Sequence, residues 1–160
     1  MIRLMGILLI IGGTVGAGFL YAAAVKEEMR RFEGFLKLAR LIRSRIECFR
    51  QPLASIYADF EDEALEACHF CEALRQGDFL LALSKTKDDL GLRPALIDLL
   101  SDFGGELGKS HAEDQLRHCD RCIGQMEEAL AVLRAESADK IRLSRALSLA
   151  LAAMVTILLL

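Results

Sequence analysis

Strict apolar–polar alternation in steps of two is absent from this chain, which removes the half-buried strand as a building unit. Prolines number only two, Pro52 and Pro94, and no low-complexity linker divides the sequence. Catalytic signatures are missing as well. There is no Gly-x-Ser-x-Gly elbow, no His-Glu-x-x-His helix and no pair of acids with an associated histidine. Residues 104–110 read Gly-Gly-Glu-Leu-Gly-Lys-Ser, but they lack the glycine spacing and the preceding strand of a phosphate loop. The expectation is a non-enzymatic protein without a cofactor. Cations do not predominate either, with 20 Lys and Arg against 23 Asp and Glu, which excludes a broadly basic nucleic-acid binder.

Charge itself is missing from residues 4–25 and 146–160, and those two runs enclose every charged side chain except Arg3. The first has 22 residues, about 33 Å as a helix, enough for a hydrocarbon core of about 30 Å. The second has 15, about 22 Å, so it spans only by thinning the bilayer or by drawing on the long side chains of Arg142 and Arg145. Lys26, Arg30, Arg31, Lys37, Arg134, Lys140, Arg142 and Arg145 all flank the inner side of the two runs. The positive-inside bias then makes the middle cytoplasmic. The expected organisation is an N-terminal transmembrane helix over 1–25, a cytoplasmic all-helical domain over 26–145 and a C-terminal transmembrane helix over 146–160. A cleaved signal with small residues at 22–24 competes, but its apolar stretch is too long and it leaves the second run unexplained.

Within the middle, apolar residues recur at three and four, so the predicted class is all-α, a helical bundle. Phe32, Phe35, Leu36, Ala39, Ile42, Ile46 and Phe49 mark a helix that ends before Pro52. From there Leu53, Ile56, Tyr57, Phe60, Ala64, Ala67, Cys68, Cys71 and Leu74 make one further stripe, stopped by Gly77 as a left-handed cap. Asp78 caps a short helix carrying Leu80, Leu81 and Leu83, and Pro94 opens another with Leu96, Ile97, Leu99, Leu100 and Phe103. Gly104, Gly105 and Gly108 supply a turn, after which Ser110 and Glu113 form a capping box. No Gly or Pro follows Gly124, so one helix of about 50 residues is predicted to reach the C-terminus.

Two cysteine pairs stand at helix spacing, Cys68 with Cys71 and Cys119 with Cys122. Two such faces meeting would offer zinc four thiolates, which defines the alternative reading, a membrane-tethered zinc or redox adaptor. Both pairs fall on apolar stripes, where a cysteine behaves as a small buried hydrophobe. His111 and His118 lie two turns apart on the last helix and read as solvated or partner-facing. In the first apolar run Gly12 and Gly16 form Gly-x-x-x-Gly, which lets membrane helices approach closely, within one molecule or as a homo-oligomer.

Leu107-Gly108-Lys109-Ser110-His111 followed by Asp114-Gln115-Leu116-Arg117-His118, and Pro52-Leu53 opening a helix after Ile46-Glu47, give the chain a familiar look. It resembles the stage III sporulation protein AB family over nearly its whole length. His111 departs from that family's aspartate, and Leu83 stands where an aromatic is usual. The family's domain is similar to the cytoplasmic domains of type II secretion and type IV pilus platform proteins. The resemblance implies a membrane platform in the mother cell membrane around the forespore, within a channel complex needed for endospore formation. It implies as partners the complex's ATPase, stage III sporulation protein AA, and other proteins of the same complex. The turn over 104–118 is the expected docking surface, carried by Gly108, Lys109, Ser110, His111, Gln115, Arg117 and His118.

Overall fold

A computed structural model describes the backbone of residues 2–49, 51–109 and 111–159. Side chains are described for 23–48, 51–109 and 111–139, with Leu143, Ala146 and Ala150. All regular structure among the described residues is helical: α1 Ile2–Phe49, α2 Leu53–Asp59, α3 Glu63–Glu66, α4 Phe70–Gln76, α5 Phe79–Leu90, α6 Pro94–Glu106 and α7 Ala112–Leu159. The chain divides into two compact units, Glu27–Ala131 and the two terminal stretches Met1–Lys26 with Val132–Leu160. Among the described residues no helix is long and apolar enough to cross a membrane. The apolar runs 4–25 and 146–160 fall almost wholly outside the residues whose side chains are described, and the packing of Gly12 and Gly16 falls outside them too.

Inside the Glu27–Ala131 unit, α1 buries the expected stripe of Phe32, Phe35, Leu36, Ala39, Ile42 and Ile46. Its centre is a run of edge-to-face rings drawn from four helices. Phe35 meets Phe70 at 4.6 Å, Phe70 meets Phe79 at 5.7 Å, and Phe79 meets Phe103 at 5.6 Å. Rings at these separations place the positive edge of one on the negative face of the next.

Three expectations fail here, each for a local reason. The stripe after Pro52 is three short helices and not one. Asp62 breaks it first: its Oδ1 accepts from Ala64 N at 3.1 Å and Leu65 N at 3.4 Å, offering the backbone an N-cap in place of continued helix. His69 breaks it again, with φ at 58° in the left-handed region. The apolar spacing survives, because Ile56, Tyr57, Phe60, Ala64, Cys68, Cys71 and Leu74 are all buried, while Ala67 is exposed. Gly77 is extended, with φ at −161°, and is not a left-handed cap. The helix after Asp78 is 12 residues long and turns Phe79, Ala82, Leu83 and Leu90 inward, leaving Leu81 exposed.

The Asp78 cap and the Pro94 start do form: Asp78 Oδ1 accepts from Phe79 N at 2.8 Å, and Pro94 occupies the first turn of α6. Between α5 and α6, Gly91 takes φ +57°, and α1 braces the elbow from outside. Arg31 Nη1 donates to the carbonyls of Asp89 at 3.2 Å and Leu90 at 2.7 Å. Three residues earlier, buried Glu28 accepts from Arg93 N at 3.0 Å and Arg93 Nε at 3.2 Å.

Candidate functional site

The α6–α7 turn is built from the end of α6 downward. Gly104 and Gly105 are helical and do not form the turn; Gly108, at φ +79°, is the glycine that the chain reversal needs. Leu107 N donates to the Gly104 carbonyl at 3.3 Å and Lys109 N to the Glu106 carbonyl at 3.4 Å, closing the last turn of α6. Ser110 lies outside the described residues, and with it the capping box. Helix α7 begins at Ala112 with Glu113 and Asp114 in its first turn, the favourable sign for a helix N-terminus.

Two concavities flank this turn. On one side an open cleft of ≈ 640 Å³ is lined by Ser101, Asp102, Gly105, Glu106, Asp114, Arg117, His118 and Arg121. On the other, a groove of ≈ 310 Å³ is lined by Ile46, Gln51, Pro52, Leu53, Gly108, Ala112 and Gln115. Of the residues expected from sequence, Gly108 and Gln115 thus line the groove and Arg117 and His118 line the cleft, while Lys109 and His111 stand exposed on the crest. Pro52 and Leu53, read beforehand as a helix start and as part of the family resemblance, join Gly108 and Gln115 at one groove.

His118 corrects the sequence reading: it is buried, not solvated. Its ring stacks on Phe103 at 6.3 Å with 11° between planes. Arg121 Nη2 lies 3.0 Å from His118 Nδ1, and a guanidinium has only donors, so Nδ1 accepts and the neutral ring carries its hydrogen on Nε2. Nε2–H then donates to the Phe103 carbonyl at 3.3 Å, one of the end carbonyls that α6 cannot satisfy internally. Cys122 Sγ sits 3.5 Å from the same Nε2, but that nitrogen holds its hydrogen and cannot act as base toward the thiol. Arg117 pairs with Asp114 across one turn. Sequence reasoning missed Asp102, Glu106 and Arg121, since nothing along the chain shows α6 and α7 facing each other.

All four paired cysteines are buried, and Cys48 is exposed. No group of three or more His, Cys, Asp or Glu able to hold a metal occurs among the described residues, so the zinc reading has no assembled site there. Burial pushes the thiols of Cys68, Cys71 and Cys122 up, and that of Cys119 up to about 11, away from the reactive thiolate. Under native conditions at pH 8 one thiol, Cys48, is expected to react rapidly with a disulfide reagent, and the other four only at the rate of unfolding. Quantified absorbance before and after denaturant checks this. Because the folded values of Cys119 and Tyr57 lie above their unfolded ones, the stability tied to these groups is intact below about pH 9 and drains as pH rises toward 11. Urea midpoints should therefore fall across that window.

The profile of the stage III sporulation protein AB family matches residues 3–160, in effect the entire chain. The chain belongs to the stage III sporulation protein AB family. Neither a curated protein nor a solved structure matches it. Membership gives a sporulation-related role. Pro52 and Leu53 meet Gly108, Ala112 and Gln115 at the groove beside the α6–α7 turn.

Proposed function

We propose that the protein is a non-enzymatic membrane platform of the channel complex between mother cell and forespore, and that its helical domain docks the complex's ATPase, stage III sporulation protein AA. The terminal apolar runs anchor it in the mother cell membrane, with the domain on the cytoplasmic side. One observation carries the docking reading: the α6–α7 turn raises Lys109 and His111, exposed, between two concavities. A rigid helical surface projecting from an anchor suits an ATPase that must push against a membrane assembly.

Charge reversal at Lys109 and Arg117 is expected to weaken ATPase capture by the full chain about tenfold, equivalent to about 1.4 kcal/mol, because both cations sit at the rim of the surface. Co-purification across a concentration series measures it. Helical content by circular dichroism should stay unchanged. Capture at full strength by the doubly reversed chain counts against docking at this turn, and loss of helix shows the turn to be structural.

A further inference from the structure

The end of α6 departs from local preference in three ways. Asp102 and Glu106 stand one turn apart, a spacing at which like charges repel, and neither exposed carboxylate is in a hydrogen bond or ion pair among the described residues. Glu106 closes the helix at its carbonyl end, where the dipole favours a cation and no basic residue occupies the last turn. Gly105 lies between them, and a Cβ there would meet nothing within 4 Å, so packing does not ask for glycine, the poorer helix former, at that position. Sequences give up local preference in this way where function requires it.

All three residues line the cleft, whose ≈ 640 Å³ lies within the about 300–1,000 Å³ of ligand pockets. The opposite wall carries Arg117 and Arg121, yet Arg117 pairs with Asp114 on its own helix and Arg121 Nη2 lies 3.0 Å from His118 Nδ1. Elsewhere the chain closes such pairs from helix to helix, Arg40 of α1 on Glu127 of α7 and Arg43 on Asp120. The α6 wall is thus left with two unneutralised carboxylates and, between them, backbone that no side chain covers. Cations answer the charge, and a glycine admits the close approach of another backbone. Carboxylates four residues apart along one helix match cations four residues apart along another, both about 6 Å along the axis.

We infer that the α6 wall of this cleft docks a helix of a partner protein, which sets lysine or arginine side chains four residues apart against Asp102 and Glu106 and lays its backbone over Gly105. This partner chemistry deepens the docking reading and rests on it for its biological setting, but the test uses peptides and not the ATPase, so either can fail alone.

The experiment is a titration of the isotope-labelled full chain in phosphatidylcholine nanodiscs, followed by nuclear magnetic resonance at the Gly105 amide. Two helical probes are used, four repeats of Ala-Ala-Ala-Lys and four of Ala-Ala-Ala-Glu, both with blocked ends. The lysine peptide is expected to shift the Gly105 signal saturably, and the glutamate peptide to bind about tenfold more weakly. Asp102→Asn with Glu106→Gln should erase that difference, whereas Asp59→Asn with Asp88→Asn, which removes the same charge outside the cleft, should leave it. Gly105→Ala should raise the urea midpoint, since alanine is the better helix former and meets nothing, and yet weaken the lysine peptide. A variant that is more stable but binds worse separates docking from a structural role. Equal binding of the two peptides, no saturable shift, equal weakening by both double variants, or full-strength binding by Gly105→Ala overturns the inference. An equal shift from magnesium or spermidine assigns the cleft to a free cation, and one that grows with protein concentration alone assigns it to a second copy of the chain; both overturn the inference.

Discussion

Phe79→Ala is expected to lower the unfolding free energy of the Glu27–Ala131 unit by about 3–5 kcal/mol, the range for removing a fully buried phenylalanine. Phe79 is 1 % exposed and sits at the junction of the aromatic run, edge-to-face with Phe35 at 6.2 Å, Phe70 at 5.7 Å and Phe103 at 5.6 Å. Truncation removes all three contacts, and the neighbours belong to different helices that cannot close in together, so the loss belongs at the upper end of that range. Urea unfolding followed by circular dichroism gives the value. Phe79→Leu should recover more than half of it by keeping the volume filled. An alanine variant within 1 kcal/mol of the native chain would mean that the ring run does not hold the helices together.

Gly104→Ala is the second large effect, about 1–3 kcal/mol, the cost of overpacking. An added Cβ would lie 2.3 Å from Phe79 Cδ1 and 3.0 Å from Cε1, and the ring cannot swing aside because Phe35, Phe70 and Phe103 surround it. Alanine is otherwise the better helix former by about 0.8–1.0 kcal/mol, so the sign of the change separates space from propensity. Combining Gly104→Ala with Phe79→Leu should cost less than the two losses added, since leucine lacks the ring atoms that the methyl meets. A double-mutant cycle reads that coupling directly. Additive losses would show that the methyl and the ring do not compete.

Legibility in the sequence tracked the kind of signal involved. Asp78 and Pro94 announced helix starts correctly, because a cap and a locked φ are properties of one residue and its immediate neighbours. The breaks at Asp62 and His69 were hidden, since the apolar spacing is the same whether one helix or three carry it. Gly104 was read as turn chemistry when its need is room beside Phe79; a glycine in a sequence does not say whether backbone freedom or a missing Cβ is wanted. His118 looked like a surface polar residue, because the carbonyl that satisfies it, on Phe103, is 15 residues away and on another helix. The turn around Gly108 was legible as a surface, whereas the groove's far wall, from Pro52 and Leu53, needed the fold to bring it there.

The brace between α1 and the α5–α6 elbow has a mechanical side. Arg31 supplies a cation to the carbonyl end of α5 and Glu28 an anion to the amide end of α6, each the sign that the helix dipole favours. Both come from a single turn of α1, spaced three apart, and they grip opposite ends of the three-residue elbow 91–93 like the two jaws of a pawl. Sliding α1 along its axis by one turn, about 5.4 Å, would withdraw both jaws at once and leave two helix ends uncapped. The elbow thus fixes the axial position of α1, because the same two side chains that cap its ends also hold α1 in register.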